Sequence, residues 1–168
     1  MGLALALLAG CAEDSAPPTG PELQPLAVFE QSAAHYGAHA RGRDEVPPNA
    51  SRAQGQLLLR LSEDGTELHY KLIVANITNV TQSHIHLAPA GVNGPIVAWL
   101  YPSAPPAQLL PGRSDGVLAT GTITAASLVG PLAGMPLEAL ISAIEAGTTY
   151  VNVHTQQFPP GEIRGQLP

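Results

Sequence analysis

The chain has 168 residues, of which 45% are hydrophobic and 12% charged; that fits one domain with a core and excludes a disordered chain. Seven Lys and Arg against thirteen Asp and Glu give a formal net charge of -6 with no basic cluster, so no nucleic-acid partner is expected. Seventeen Gly and seventeen Pro favour turns and short strands over a helical bundle, and the single cysteine excludes an internal disulfide.

Residues 1–10 (MGLALALLAG) form an uncharged apolar run. It is shorter than the roughly 20 residues of a membrane-spanning helix and has the length of a signal-peptide core. The run ends in Leu8-Ala9-Gly10-Cys11, which resembles the bacterial lipobox. The resemblance implies that the Cys11 thiol is lipidated and that 1–10 is removed. No Lys or Arg precedes the run, so the true start is expected upstream of Met1. Ala12, rather than Asp, follows the cysteine, which leaves outer-membrane delivery open. Residues 11–34 carry Pro17, Pro18, Pro21 and Pro25 without a period of 2 or 3.6, and read as a flexible tether. The expected location is the cell envelope, on the outer membrane or the periplasmic face, with the membrane engaged through the lipid.

A domain is expected over 35–168. An edge strand over 35–41 opens it. Residues 57–61 (LLLRL), the Asp64-Gly65 turn and 67–76 (ELHYKLIVAN) read as a hairpin. Further strands are expected at 83–87, 96–101, 117–123, 150–155 and 162–167. The total is about eight strands with closely spaced turns, which predicts an all-β sandwich or barrel. One helix interrupts them. Leu137, Leu140, Ile141 and Ile144 form an apolar stripe at i, i+3, i+4 and i+7, Pro136 suits the first turn, and Gly147 suits the C-terminal cap.

His84 and His86 flank Ile85, so on a strand both imidazoles share one face. His154 lies in an alternating run and shares a face with Asn152 and Tyr150. A sheet that brings His154 to the first pair would create a three-imidazole site for copper or zinc.

The order of motifs resembles the CHRD domain, a module first named in chordin and found in many bacterial secreted proteins. The matching pieces are Asp44-Glu45-Val46-Pro47-Pro48, then His84-Ile85-His86 with Ala88-Pro89-Ala90-Gly91, then Asn93-Gly94-Pro95-Ile96-Val97. Gly121-Thr122-Ile123-Thr124 follows. The longest are 146–155 (AGTTYVNVHT) and 160–167 (PGEIRGQL). The resemblance implies a β-sandwich of immunoglobulin-like or related type and little about biochemistry. The His-x-His strand is also similar to that of the superoxide-dismutase-like sandwiches, over one tripeptide.

Glu162 and Arg164 share a face of the last strand and are expected to form a same-strand ion pair or a charge clamp on a loop. Together with Asn152 they are candidates for a shell around a metal or for contact with a ligand; Glu45 is a candidate partner of Arg164. No nucleophile elbow, phosphate loop or zinc-protease motif is present, and no catalytic residue is assigned. The function expected is therefore non-enzymatic: an envelope-anchored module that binds an unknown envelope or extracellular ligand. The alternative is a copper or zinc protein built on the three histidines, for metal handling or redox defence. A third reading, adhesion, would require an exposed patch around Trp99 and Tyr101, although core packing suits Trp99 better.

Overall fold

The computed structural model describes residues 33–168. The signal segment 1–10, Cys11 and all of the tether except its last two residues lie outside the described residues. The described chain is mostly β with one short helix. Its strands are β1 (His35–Arg41), β2 (Gln54–Leu61), β3 (Leu68–Leu87), β4 (Ile96–Tyr101), β5 (Leu110–Ile123), β6 (Thr149–Thr155) and β7 (Ile163–Gln166), with α1 (Leu137–Glu145) between β5 and β6. Among the described residues no helix is long and apolar enough to cross a membrane.

All seven strands belong to one sheet, in the order β2-β1-β7-β6-β3-β4, with β5 also on β3. A further β2–β3 pairing joins the first strand of this path back to its fifth, so β1, β2, β3, β6 and β7 close a five-stranded barrel and β4 lies outside it. Closure depends on the length of β3. Its first part pairs with β2, from Leu68↔Leu61 to Ala75↔Gln54. Its last part pairs with β6, from Val80↔Thr155 to Leu87↔Thr149. The eight strands expected become seven because 67–76 and 83–87 are parts of this one 20-residue strand. The same strand keeps hydrogen bonding continuous where two separate layers were expected.

The interior follows the alternation of the sequence. Leu57 and Leu59 of β2 and Leu68, Tyr70, Leu72 and Val74 of β3 are buried, while their neighbours Leu58, Arg60, His69 and Lys71 are exposed. Removing such aliphatic side chains from water contributes about 1.5–3 kcal/mol each. On β3 the inward series then changes phase. After Val74 the buried core residues are Ile77, Val80 and Ile85. Asn76 (φ 58°) and Asn79 (φ 56°) adopt left-handed backbone conformations at the first two slips, which Asn tolerates better than other non-glycine residues. A third slip lies between Val80 and Gln82. An odd number of one-residue slips inverts the faces. Ile85 therefore enters the core, and His84 and His86 stand on the opposite face.

Helix α1 matches its pattern. Leu137, Leu140, Ile141 and Ile144 are all buried, and Pro136 occupies the N-cap. The Gly147 N–H donates to the Ile144 carbonyl at 2.8 Å and the Thr148 N–H to Ala143 at 3.0 Å, with Gly147 at φ 66°. This is the Schellman closure that glycine makes without strain.

Candidate metal centre

Strands β3 and β6 bring the three histidines together. Antiparallel pairing sets His84 opposite Asn152, His86 opposite Tyr150 and Gln82 opposite His154. Directly paired residues point to the same face, so His84, His86 and His154 project from one surface of the sheet, with Ile85, Val151 and Val153 on the core side. Their ring centroids are 5.1 Å (His84–His154), 5.5 Å (His84–His86) and 6.2 Å (His86–His154) apart.

One nitrogen from each ring lies within 4.8 Å of the other two. Points so spaced share a centre within about 2.8 Å of each, the 4.8 Å being divided by the square root of three. Closing each arm by roughly 0.7 Å would reach a metal–imidazole bond.

Hydrogen bonds fix the protons on two rings. His86 Nδ1 lies 2.9 Å from the Gly94 carbonyl, and His154 Nδ1 lies 2.8 Å from the Pro159 carbonyl. A carbonyl oxygen only accepts, so each Nδ1 carries the hydrogen and each Nε2 presents a lone pair. His84 Nδ1 sits 3.3 Å from His154 Nε2. The Nε2 atoms of His84 and His86 are buried and have no hydrogen-bond partner. Two buried ring nitrogens without a partner are costly unless something satisfies them.

Burial also keeps the rings neutral. It pushes His84 down to about 3, helped by repulsion from His154 and His86. Burial takes His86 down to about 4 against the Gly94 hydrogen bond, with His154 and Arg164 pushing the same way. His154 is likewise lowered by burial, opposed by its bond to Pro159. Neutral imidazole is the form that ligates a metal.

Trp99, half-buried on β4, meets the His84 ring edge-on at a centroid distance of 4.3 Å. Tyr101 is also half-buried, so neither residue offers the exposed patch that adhesion would require. Tyr150 stacks on His86 at 4.8 Å and 9°, and the same ring carries the Arg164 guanidinium 3.4 Å from its centroid.

The other predicted residues sit beside this cluster in different roles. Asn152 donates through Nδ2 to Glu45 Oε1 at 2.7 Å. Glu162 accepts from Ser51 at 2.6 Å and from Thr155 at 2.7 Å. Arg164 donates to Asn93 Oδ1 and to the carbonyls of Pro89 and Val92. Of the two expected arrangements, the Glu162–Arg164 ion pair does not form, because hydroxyls occupy the carboxylate, and the loop clamp does, because Arg164 holds oxygens of the 88–95 loop. Glu45 feels the Arg164 charge without an ion pair to it, and burial outweighs that attraction, raising Glu45 to about 7. The Gly94 and Pro159 carbonyls were not visible in the sequence, because a main-chain acceptor leaves no residue signature. The Asn93-Gly94 turn marks only where the chain reverses.

Pieces of five matching motifs thus meet on one face: Glu45, His86, Asn93, Asn152 with His154, and Arg164. No significant match emerged among curated proteins or among solved structures. The CHRD domain family matches residues 36–167, nearly the whole described chain. The polar face and the core strands beneath it fall inside that match, and the chain belongs to the CHRD domain family.

Proposed function

We propose that the protein binds a single copper or zinc ion on His84, His86 and His154, for metal handling or redox defence at the cell envelope. One observation carries this reading: three neutral, buried imidazoles converge within 4.8 Å, and two of their nitrogens have no partner. Main-chain carbonyls orient two of the rings, the kind of support that metal-ligating histidines receive. The test is metal content of full-length protein purified without an affinity tag, followed by calorimetry with added copper and zinc. Near one equivalent is expected. Less than about a tenth of an equivalent, with no heat on addition of either ion, removes the reading.

A non-enzymatic binding module of unknown target is the second reading. Family membership supports it, as does a cavity of about 540 Å³ lined by Glu45, Ala90, Gly91, Arg164 and Gln166 among others. Arg164 lines it beside Asp44 and Glu45, with its guanidinium already engaged by loop oxygens, so the cavity does not name its ligand. A small-molecule fragment screen read by nuclear magnetic resonance should then shift Gly91 and Gln166, and unmoved signals would count against this cavity as the binding site.

The proposal also has Cys11 carrying a lipid that holds the domain at the membrane. Its support is the Leu8-Ala9-Gly10-Cys11 sequence alone. Replacing the thiol (Cys11→Ser) should move the protein from the membrane to the soluble fraction. An unchanged distribution would remove the anchor.

A further inference from the structure

Resting on the metal reading above, we propose that the trihistidine site selects monovalent copper over divalent ions. The first argument is charge. The three ligands are neutral, and no cysteine lies among the described residues, so none of these adds a thiolate to the site. Two of them, His86 and His154, have main-chain carbonyls as second contacts, those of Gly94 and Pro159, and not carboxylates. The nearby carboxylates are engaged elsewhere, Glu162 by Ser51 and Thr155 and Glu45 by Asn152. A buried positive charge flanks this face: Arg164 lies against the Tyr150 ring that stacks on His86. The cost of burying an ion grows with the square of its charge, so a divalent ion pays about four times the desolvation of a monovalent one with no anionic ligand in return.

The second argument is coordination. Zinc with three protein ligands takes water or substrate as its fourth. Here His84 is fully buried, His86 and His154 are 9% and 7% exposed, and Trp99 closes against His84. Monovalent copper has a filled d shell and is content with three nitrogen ligands in a plane. A closed, neutral, three-nitrogen pocket beside a guanidinium matches that ion better than it matches Zn(II) or Cu(II).

The test titrates full-length protein anaerobically with Cu(I) against a chromophoric competitor, and separately with Cu(II) and Zn(II). One equivalent of Cu(I) is expected, bound at least about a hundredfold more tightly than either divalent ion. Against Cu(II), that preference raises the copper reduction potential by about 118 mV over the aqueous couple. Trp99, the only tryptophan, should lose fluorescence as Cu(I) binds to the wild-type protein. His86→Ala and His154→Ala, with folding checked by circular dichroism, should each lose the high-affinity equivalent. Equal or tighter binding of Zn(II) or Cu(II) overturns the selectivity while the metal reading survives. Binding of no ion at all removes both. Cu(I) binding that leaves Trp99 fluorescence unchanged, or that persists in folded forms of both variants, puts the ion elsewhere and overturns the proposal.

Discussion

Arg164 is only 2% exposed, yet its charge meets no carboxylate within ion-pair distance among the described residues. It is satisfied instead by the Tyr150 face and by oxygens of the 88–95 loop. That loop also supplies the Gly94 carbonyl to His86, so Arg164 positions the histidine through the loop. Arg164→Ala should destabilise the domain by at least about 3 kcal/mol, since several buried acceptors lose their donors. Arg164→Lys should recover less than half of that, because an ammonium lacks the planar fork. Urea denaturation of the two variants checks both expectations. Glu45 carries a pH signature of its own. Its ordinary value of 4.5 is raised to about 7, chiefly by burial. The folded state therefore holds this proton more tightly than the unfolded chain. The associated stability is present below 4.5 and is lost as pH rises through 7. Glu45→Gln should remove that dependence, so the variant gains about 3 kcal/mol on wild type between pH 4 and pH 8. Denaturant midpoints across this range measure it, and a constant offset would rule it out.

Helix α1 could be read from sequence because its signals are local: four apolar residues on one stripe, a proline at its start and a glycine past its end. Ile144→Ala should cost about 2–5 kcal/mol through the cavity it leaves, and Gly147→Ala about 1 kcal/mol through the left-handed cap. Thermal unfolding of the two variants separates packing from capping. Strand β3 was less legible. The composition of 67–76 and 83–87 marks both as strand, but nothing in it says that they are continuous. The continuity lies in the φ angles of Asn76 and Asn79, and each asparagine alone reads as a turn residue. Asn76→Gly should leave stability within about 0.5 kcal/mol, whereas Asn76→Val should cost at least about 1 kcal/mol, because a β-branched side chain resists the left-handed region. Equal effects of the two would mean that the bulge does not depend on this conformation.

At the scale of the molecule, the barrel gives the site a rigid floor. The ligands sit on β3 and β6, two hydrogen-bonded strands whose other side packs into the core. A bound ion would add to that stability by mass action: Cu(I) held at a hundred times its Kd should contribute about 2.7 kcal/mol, and a copper chelator should remove the gain. Thermal scans with and without the ion measure it. The histidine trio was legible because alternation assigns faces within each strand. The pairing that joins β3 to β6 was not, since antiparallel register between distant segments is set by the folded sheet. Of the two roles expected for Glu162 and Arg164, the loop clamp is the one that Arg164 takes and the ion pair is not formed; charge spacing along a strand could not choose between them, because it says nothing about which loops fold over it.

Two rings of the site are aimed by main-chain oxygens, those of Gly94 and Pro159. An oxygen of the backbone is supplied by any amino acid, so most side chains of the 88–95 and 156–161 loops can change over generations without misaligning the imidazoles. The constraint falls on loop length, on Asn93, whose side chain holds Arg164, and on Gly94 and Gly161, where a Cβ would run into the Leu87 carbonyl and into Asn152 and Glu45. Inheritance of this centre is therefore written in three histidines and in the path of the chain around them, and the surfaces of the same loops are left free to diversify.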